Sequence, residues 1–164
     1  GGVEVDVPVK VDDSTGTGKV IEKGKQTLSG DQALVLCRAR HAYDAYGAGD
    51  YYRTANQRMV LGAILKKTLS GNPIMLARGL NAAAGSVSTD ISGIELRALG
   101  VRFAGFDMSR DLMSGLEPTE GVYEGGVWYE KVKTDAWETM MQRVDAGLAP
   151  YADESENPTA GLAG

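Results

Sequence analysis

Residues 1–37 read GGVEVDVPVKVDDSTGTGKVIEKGKQTLSGDQALVLC, and this stretch decides the fold class. Val3, Val5, Val7 and Val9 alternate with Glu4, Asp6, Pro8 and Lys10. A period of two predicts a strand with one apolar face. Pro8 has no N–H for a ladder, which places it at an edge or a strand end. Residues 12–18, DDSTGTG, form a turn cluster, and residues 19–22 are expected to be a short second strand. Ser29-Gly30-Asp31-Gln32 then has the spacing of a capping box. The Ser29 hydroxyl can accept from the Gln32 amide while the Gln32 side chain reaches back. Ala33, Leu34 and Cys37 are expected on one buried face of the helix that follows.

Outward from there, residues 41–49 hold two tyrosines and two glycines without clean periodicity and read as a loop. A helix is expected from about 52 to 67. Asn72-Pro73 is a start signal, an N-cap with proline at the first helical position, and opens a helix to about 83. Another helix is expected over 90–99, with Ser92 and Glu95 at capping-box spacing and Gly100 as its stop. Residues 101–108 are expected to be extended, 115–126 a loop and 127–132 a strand. Asp135 and Glu138 should cap the last helix, Trp137, Met140, Met141 and Val144 should form its buried stripe, and Gly147 should end it. Interleaved strands and helices indicate an α/β fold with one domain over 1–149 and a disordered acidic tail over 150–164.

The composition narrows the functional classes. The chain has 164 residues, 43% apolar and 24% charged, which suits a single packed domain. Net charge is −5; without Asp153, Glu154 and Glu156 it is still −2, 17 basic residues against 19 acidic. A protein that neutralises phosphates along nucleic acid carries a basic surplus, so that partner class is disfavoured. One cysteine and one histidine exclude a disulfide framework or a zinc site. No apolar run nears the ~18 residues of a membrane span. Ser14-Thr15-Gly16-Thr17-Gly18-Lys19 fails as a phosphate loop, because Asp13 and Val20 stand where glycine and a hydroxyl residue are needed. His41 reads as exposed or structural, and Cys37 as core packing. Asn157-Pro158-Thr159 is barred from glycosylation by its proline.

Residues 38–58 carry Arg38, Arg40, Arg53 and Arg58. Arg58 fits a solvated outer face. Arg53 and Gln57 are four apart, on one helix face, and that face continues into Val60, Leu61 and Ile64. An unpaired guanidinium is costly to bury, so Arg53 must meet an anion, either Asp50 or a ligand. Arg38 and Arg40 can converge with it if the first helix ends near Cys37 and the pair is extended. Three guanidiniums and an amide suit a phosphate or pyrophosphate group, because the guanidinium fork matches phosphate oxygens.

The ordered series GGV-x-V-x-V-P over 1–8, Leu28-Ser29-Gly30-Asp31-Gln32-Ala33-Leu34, Arg38-Ala39-Arg40, Asp50-Tyr51-Tyr52-Arg53 and Asn56-Gln57 resembles the LytR-CpsA-Psr family of Gram-positive cell-envelope proteins. The resemblance implies a three-layer α/β/α sandwich with a mixed central sheet and a pocket for a polyprenyl tail. It implies a membrane-anchored phosphotransferase on the extracellular face. Such an enzyme moves a teichoic-acid or capsule-type glycan, with its phosphate, from a polyprenyl-pyrophosphate carrier to peptidoglycan. Arg38 and Arg40 fall on the arginine pair of the reacting head group, expected to be catalytic. Arg53 and Gln57 fall on pyrophosphate-binding positions, and Asp50 is read as the partner that orients Arg53. Asn56 stands where the family often has arginine, so one positive charge is missing from the cradle's edge.

The family places the GGV-x-V strand in mid-domain. The half with the Mg²⁺-binding acids is therefore expected upstream of residue 1. Mg²⁺ belongs to the full-length protein, no metal is expected on these residues, and the chain alone is expected to be inactive. The strand over 3–9 is expected to pair with a second copy in a homodimer or to be covered by residues 127–132. The alternative readings are a non-catalytic pyrophosphate-lipid binding or structural module and, below it, a transcriptional attenuator, for which no helix-turn-helix pattern is present.

Overall fold

The structure is a computed structural model that describes residues 1–46, 49–69, 72–86, 88–103 and 106–160. Strand β1 (Val3–Val7) pairs antiparallel with β4 (Gly24–Leu28), with Val3 opposite Leu28 and Val7 opposite Gly24. Between them β2 (Val11–Asp13) and β3 (Lys19–Ile21) form a second antiparallel ladder. The period-two pattern sorts as expected. Val5 and Val7 are buried while Glu4 and Asp6 are exposed, and the strand stops before Pro8. The turn over 12–18 is closed on Asp13, whose carbonyl accepts from the amides of Gly16, Thr17 and Gly18.

Helix α1 (Gly30–Arg38) opens with the full capping box at Ser29 and Gln32. Its buried residues are Ala33, Val35 and Leu36, with Cys37 half-buried. Leu34, expected inside, is 58% exposed. A six-residue 3-10 turn, His41–Tyr46, takes the first part of the expected loop, residues 47 and 48 lie outside the described residues, and α2 runs Gly49–Thr68. α1 packs on β3, β4 and α2, and α2 packs on β1. These contacts bury Val5, Val7, Val11, Ile21, Leu28, Leu36, Tyr43 and Val60 as one core.

α3 (Pro73–Ser86) and α4 (Gly93–Arg102) follow, the latter with its predicted capping box at Ser92 and Glu95. Gly100 does not stop α4. It is buried beside the Leu76 and Leu80 methyls of α3. Residues 101 and 102 are therefore helical, not extended, and α5 (Met108–Asp111) takes the end of that stretch; residues 104 and 105 lie outside the described residues. The expected loop over 115–126 contains a strand, β5 (Thr119–Glu124), paired with β6 (Val127–Val132). Gly125 and Gly126 both have positive φ, the two-residue turn that matches strand twist. α6 (Thr134–Asp145) starts from Lys133, which makes no side-chain cap bond, so Asp135 and Glu138 do not cap it. Met140 is its buried residue, whereas Val144 is exposed. Gly147 ends it with φ 72°, and the Leu148 amide reaches back to the Arg143 carbonyl as in a Schellman motif.

The class is α/β. Among the described residues the strands pair only as three two-stranded antiparallel ladders, not as one mixed sheet. β1 finds its partner in β4, which lies immediately before the Ser29 cap, and not in residues 127–132. Its apolar face is covered by α2. Residues 150–160, expected to be a loose tail, pack back on the domain with Asn157 and Thr159 buried. Residues 161–164 lie outside the described residues.

Candidate functional site

The site begins at the C-terminal end of α1. Arg38 is the last helical residue and Ala39 turns extended, with φ −61° and ψ 121°. The break places Arg38 and Arg40, both exposed, on the wall of one cleft of about 480 Å³. A cation in the last turn also complements the partial negative charge of a helix C-terminus. The opposite wall comes from β2 and its turn, through Asp12, Asp13, Gly16 and Thr17, and His41 and Ala42 complete the rim. The Asp12 carboxylate accepts from Ser14, and these hydrogen bonds hold it below the usual carboxylate range. Asp13 accepts from the Thr17 hydroxyl at 2.6 Å.

The rim is held from beneath by Tyr43. Its amide donates to the Arg40 carbonyl at 3.1 Å, its ring stacks on Tyr52 at 4.3 Å, and its hydroxyl accepts from Asn56 Nδ2 at 2.7 Å. Tyr43 and Asn56 are both fully buried. Gly49, the first residue of α2, comes so close that a Cβ there would lie 2.9 Å from the Arg40 carbonyl oxygen. Backbone therefore meets backbone at the point where α2 supports the arginine segment. Gln57 Nε2 donates to the Cys37 carbonyl at 3.0 Å and so satisfies one of the unpaired carbonyls that end α1. The Cys37 thiol, half-buried there, is pushed up from its ordinary value by burial.

Of the residues singled out from sequence, Arg38 and Arg40 share the cleft wall. Arg53 and Gln57 do not line it. Arg53 is gripped by Asp50, Nη2 to Oδ1 at 2.5 Å, while its buried Nε has no hydrogen-bond partner. Gln57 is exposed and acts on the backbone of α1. The inward face of α2 is turned from the expected one. It carries Tyr52, Ala55, Asn56, Met59, Val60 and Ala63, whereas Leu61 and Ile64 are 56% and 45% exposed. These six fall at i, i+3, i+4, i+7, i+8 and i+11, one helix face, but apolar residues on the other faces of α2 compete with it in the sequence. Asn56 is accordingly no member of a cradle's edge. It is the buried support of the turn that carries the rim.

Arg58 is not a solvated residue. It donates through Nη2 to the Thr159 hydroxyl, its Nε and Nη1 are buried without partners, and burial lowers its pKa. Nothing in residues 50–60 signals this, because the covering segment is a hundred residues away. Among the described residues no three carboxylate, imidazole or thiol side chains converge as a metal site requires.

The LytR_cpsA_psr family model matches residues 1–146. The chain belongs to the LytR-CpsA-Psr family. A relative from Enterococcus faecalis, the polyisoprenyl-teichoic acid–peptidoglycan teichoic acid transferase TagU, is 31% identical over 124 residues, covering 74% of this chain and 39% of its own length. The TagU of Bacillus mycoides is 27% identical over 157 residues, 90% of this chain and 47% of the relative. The chain thus spans less than half the length of these relatives. Among solved structures, Bacillus subtilis TagV superposes with a TM-score of 0.70 at 25% identity, over 90% of this chain and 57% of that one. The transcriptional regulator EF0465 of Enterococcus faecalis has a TM-score of 0.69 at 23% identity and shares the fold. No described helix is long and apolar enough to cross a membrane.

Proposed function

We propose that this chain forms the head-group wall of a cell-envelope phosphotransferase, with Arg38 and Arg40 binding the pyrophosphate of a polyprenyl-linked glycan. The observation that carries this reading is the convergence of these two arginines on one cleft at the end of α1. Two guanidiniums there can grip the oxygens of a diphosphate and meet the charge that develops as a phosphoryl group is transferred. Arg53 is held by Asp50 and lies off this cleft, so on this reading it supports α2 and the head group is left to Arg38 and Arg40. The relatives named for moving teichoic acid to peptidoglycan suggest the reaction: the phospho-glycan passes from its carrier to a peptidoglycan hydroxyl on the outer face of the membrane. On this reading Mg²⁺ and its acids come from the rest of the transferase domain, and residues 1–164 alone bind head groups without turning them over.

Calorimetric titration of the chain with a short-chain polyprenyl pyrophosphate tests the proposal. Arg38→Ala and Arg40→Ala should each weaken binding by about 1.5–3 kcal/mol, the usual worth of a hydrogen bond to a charged group. Wild-type affinity in both variants would overturn it. Binding by the full-length protein without release of polyprenyl phosphate in the presence of Mg²⁺ and peptidoglycan would leave a binding module in place of an enzyme.

A further inference from the structure

His41 is the single imidazole of the chain, and it stands on the cleft wall beside Arg38 and Arg40. Its Nδ1 lies 3.1 Å from Asp44 Oδ2. A ring nitrogen facing an ionised carboxylate must donate, so in the neutral ring Nε2 carries the free lone pair. The ring is 93% exposed, but its backbone is not loose, because Tyr43, two residues on, is buried, stacked and hydrogen-bonded. The other charged groups on the cleft are poor proton acceptors. Arg38 and Arg40 are cations. Asp12 is held below the usual carboxylate range by Ser14, and a carboxylate such as Asp13 is by nature a weaker base than an imidazole. Among the described residues these four line the cleft with His41, and Asp44 faces it from its own turn.

We infer that His41 is the general base of the cleft and Asp44 its positioning residue, an assignment that rests on the transferase reading above. A hydroxyl of the acceptor glycan attacks the glycan-side phosphorus of the carrier pyrophosphate. An O–P bond forms, and the proton of that hydroxyl passes to His41 Nε2. The bond from the same phosphorus to the bridging oxygen breaks, and polyprenyl phosphate departs with the electron pair. Its charge is met by Arg38 and Arg40. The proton then leaves the imidazolium to water, and the neutral ring is restored.

The test uses the full-length protein with a short-chain polyprenyl-pyrophosphate glycan as donor and peptidoglycan as acceptor. His41→Gln should reduce turnover about 100-fold, the lower part of the range for general-base removal, with donor affinity unchanged within twofold. In the wild type, log kcat/KM should rise with unit slope from acid toward neutral pH and flatten, and His41→Gln should abolish that limb. Asp44→Asn should cost less turnover than His41→Gln, and the double variant no more than His41→Gln alone. Turnover within threefold of wild type with the limb retained in His41→Gln would overturn the assignment, provided Arg38→Ala has lost donor binding. A wild-type protein that neither binds nor turns over the donor would overturn this assignment and the transferase reading together.

Discussion

Asn56 offers the sharpest test of how the rim is supported. It is fully buried, and its Nδ2 donates at 2.7 Å to the hydroxyl of the equally buried Tyr43. Its Oδ1 is buried without a partner. Truncation to Ala removes one hydrogen bond, worth about 1 kcal/mol, and strands the Tyr43 hydroxyl, which costs about 1–3 kcal/mol. It also removes the unsatisfied Oδ1, which offsets about 1 kcal/mol. The expected net loss is about 2 kcal/mol, which for a chain of this length lowers Tm by roughly 4–8 °C. Urea denaturation followed by tyrosine fluorescence and far-UV circular dichroism measures it. Tyr43→Phe should cost somewhat less, and the double variant should cost about 1 kcal/mol less than the two singles together, the signature of residues in contact. Because Tyr43 holds the His41–Tyr46 turn, Asn56→Ala should also weaken head-group binding without touching the ligand. A stability change under about 0.5 kcal/mol, the scale of a neutral surface substitution, or a strictly additive cycle, would refute the proposed support.

Three further outcomes are expected. Arg58→Ala should free the C-terminal segment that Thr159 anchors, so limited proteolysis within residues 150–160 should accelerate while pyrophosphate affinity stays at the wild-type value. Gly49→Ala drives a Cβ to 2.9 Å from the Arg40 carbonyl, so α2 or the arginine segment must shift; a thermal melt should show a loss of about 1–3 kcal/mol, as overpacking generally gives. Asp111 is held at about 2 chiefly by the Arg110 guanidinium. Its folded value lies below the unfolded one, so the stability it supplies is complete above the unfolded carboxylate range and is lost as pH falls through about 2. An acid titration of wild type against Asp111→Asn should therefore diverge above the unfolded value and converge at the acid end.

Local chemistry was legible in the chain. Both capping boxes, the valine alternation of β1 and the glycine that ends α6 are written in side chains a few residues apart, and each forms where its spacing places it. The arginine pair was legible for the same reason, since a helix that ends at Arg38 delivers Arg40 to the same wall whatever lies further off. β5 was legible in principle through Gly125-Gly126, yet its exposed faces carry too weak an apolar alternation to announce a strand. Tertiary structure decided the rest. α2 carries polar and apolar residues all around its circumference, so its own pattern leaves the buried face underdetermined; β1, α1 and Tyr43 chose Asn56 and Val60 over Gln57 and Leu61. The partner of β1 and the cover over Arg58 were decided in the same way. Strand pairing and helix burial are set by which distant surfaces dock, and docking distance is a property of the folded chain, with Thr159 meeting Arg58 across 101 residues.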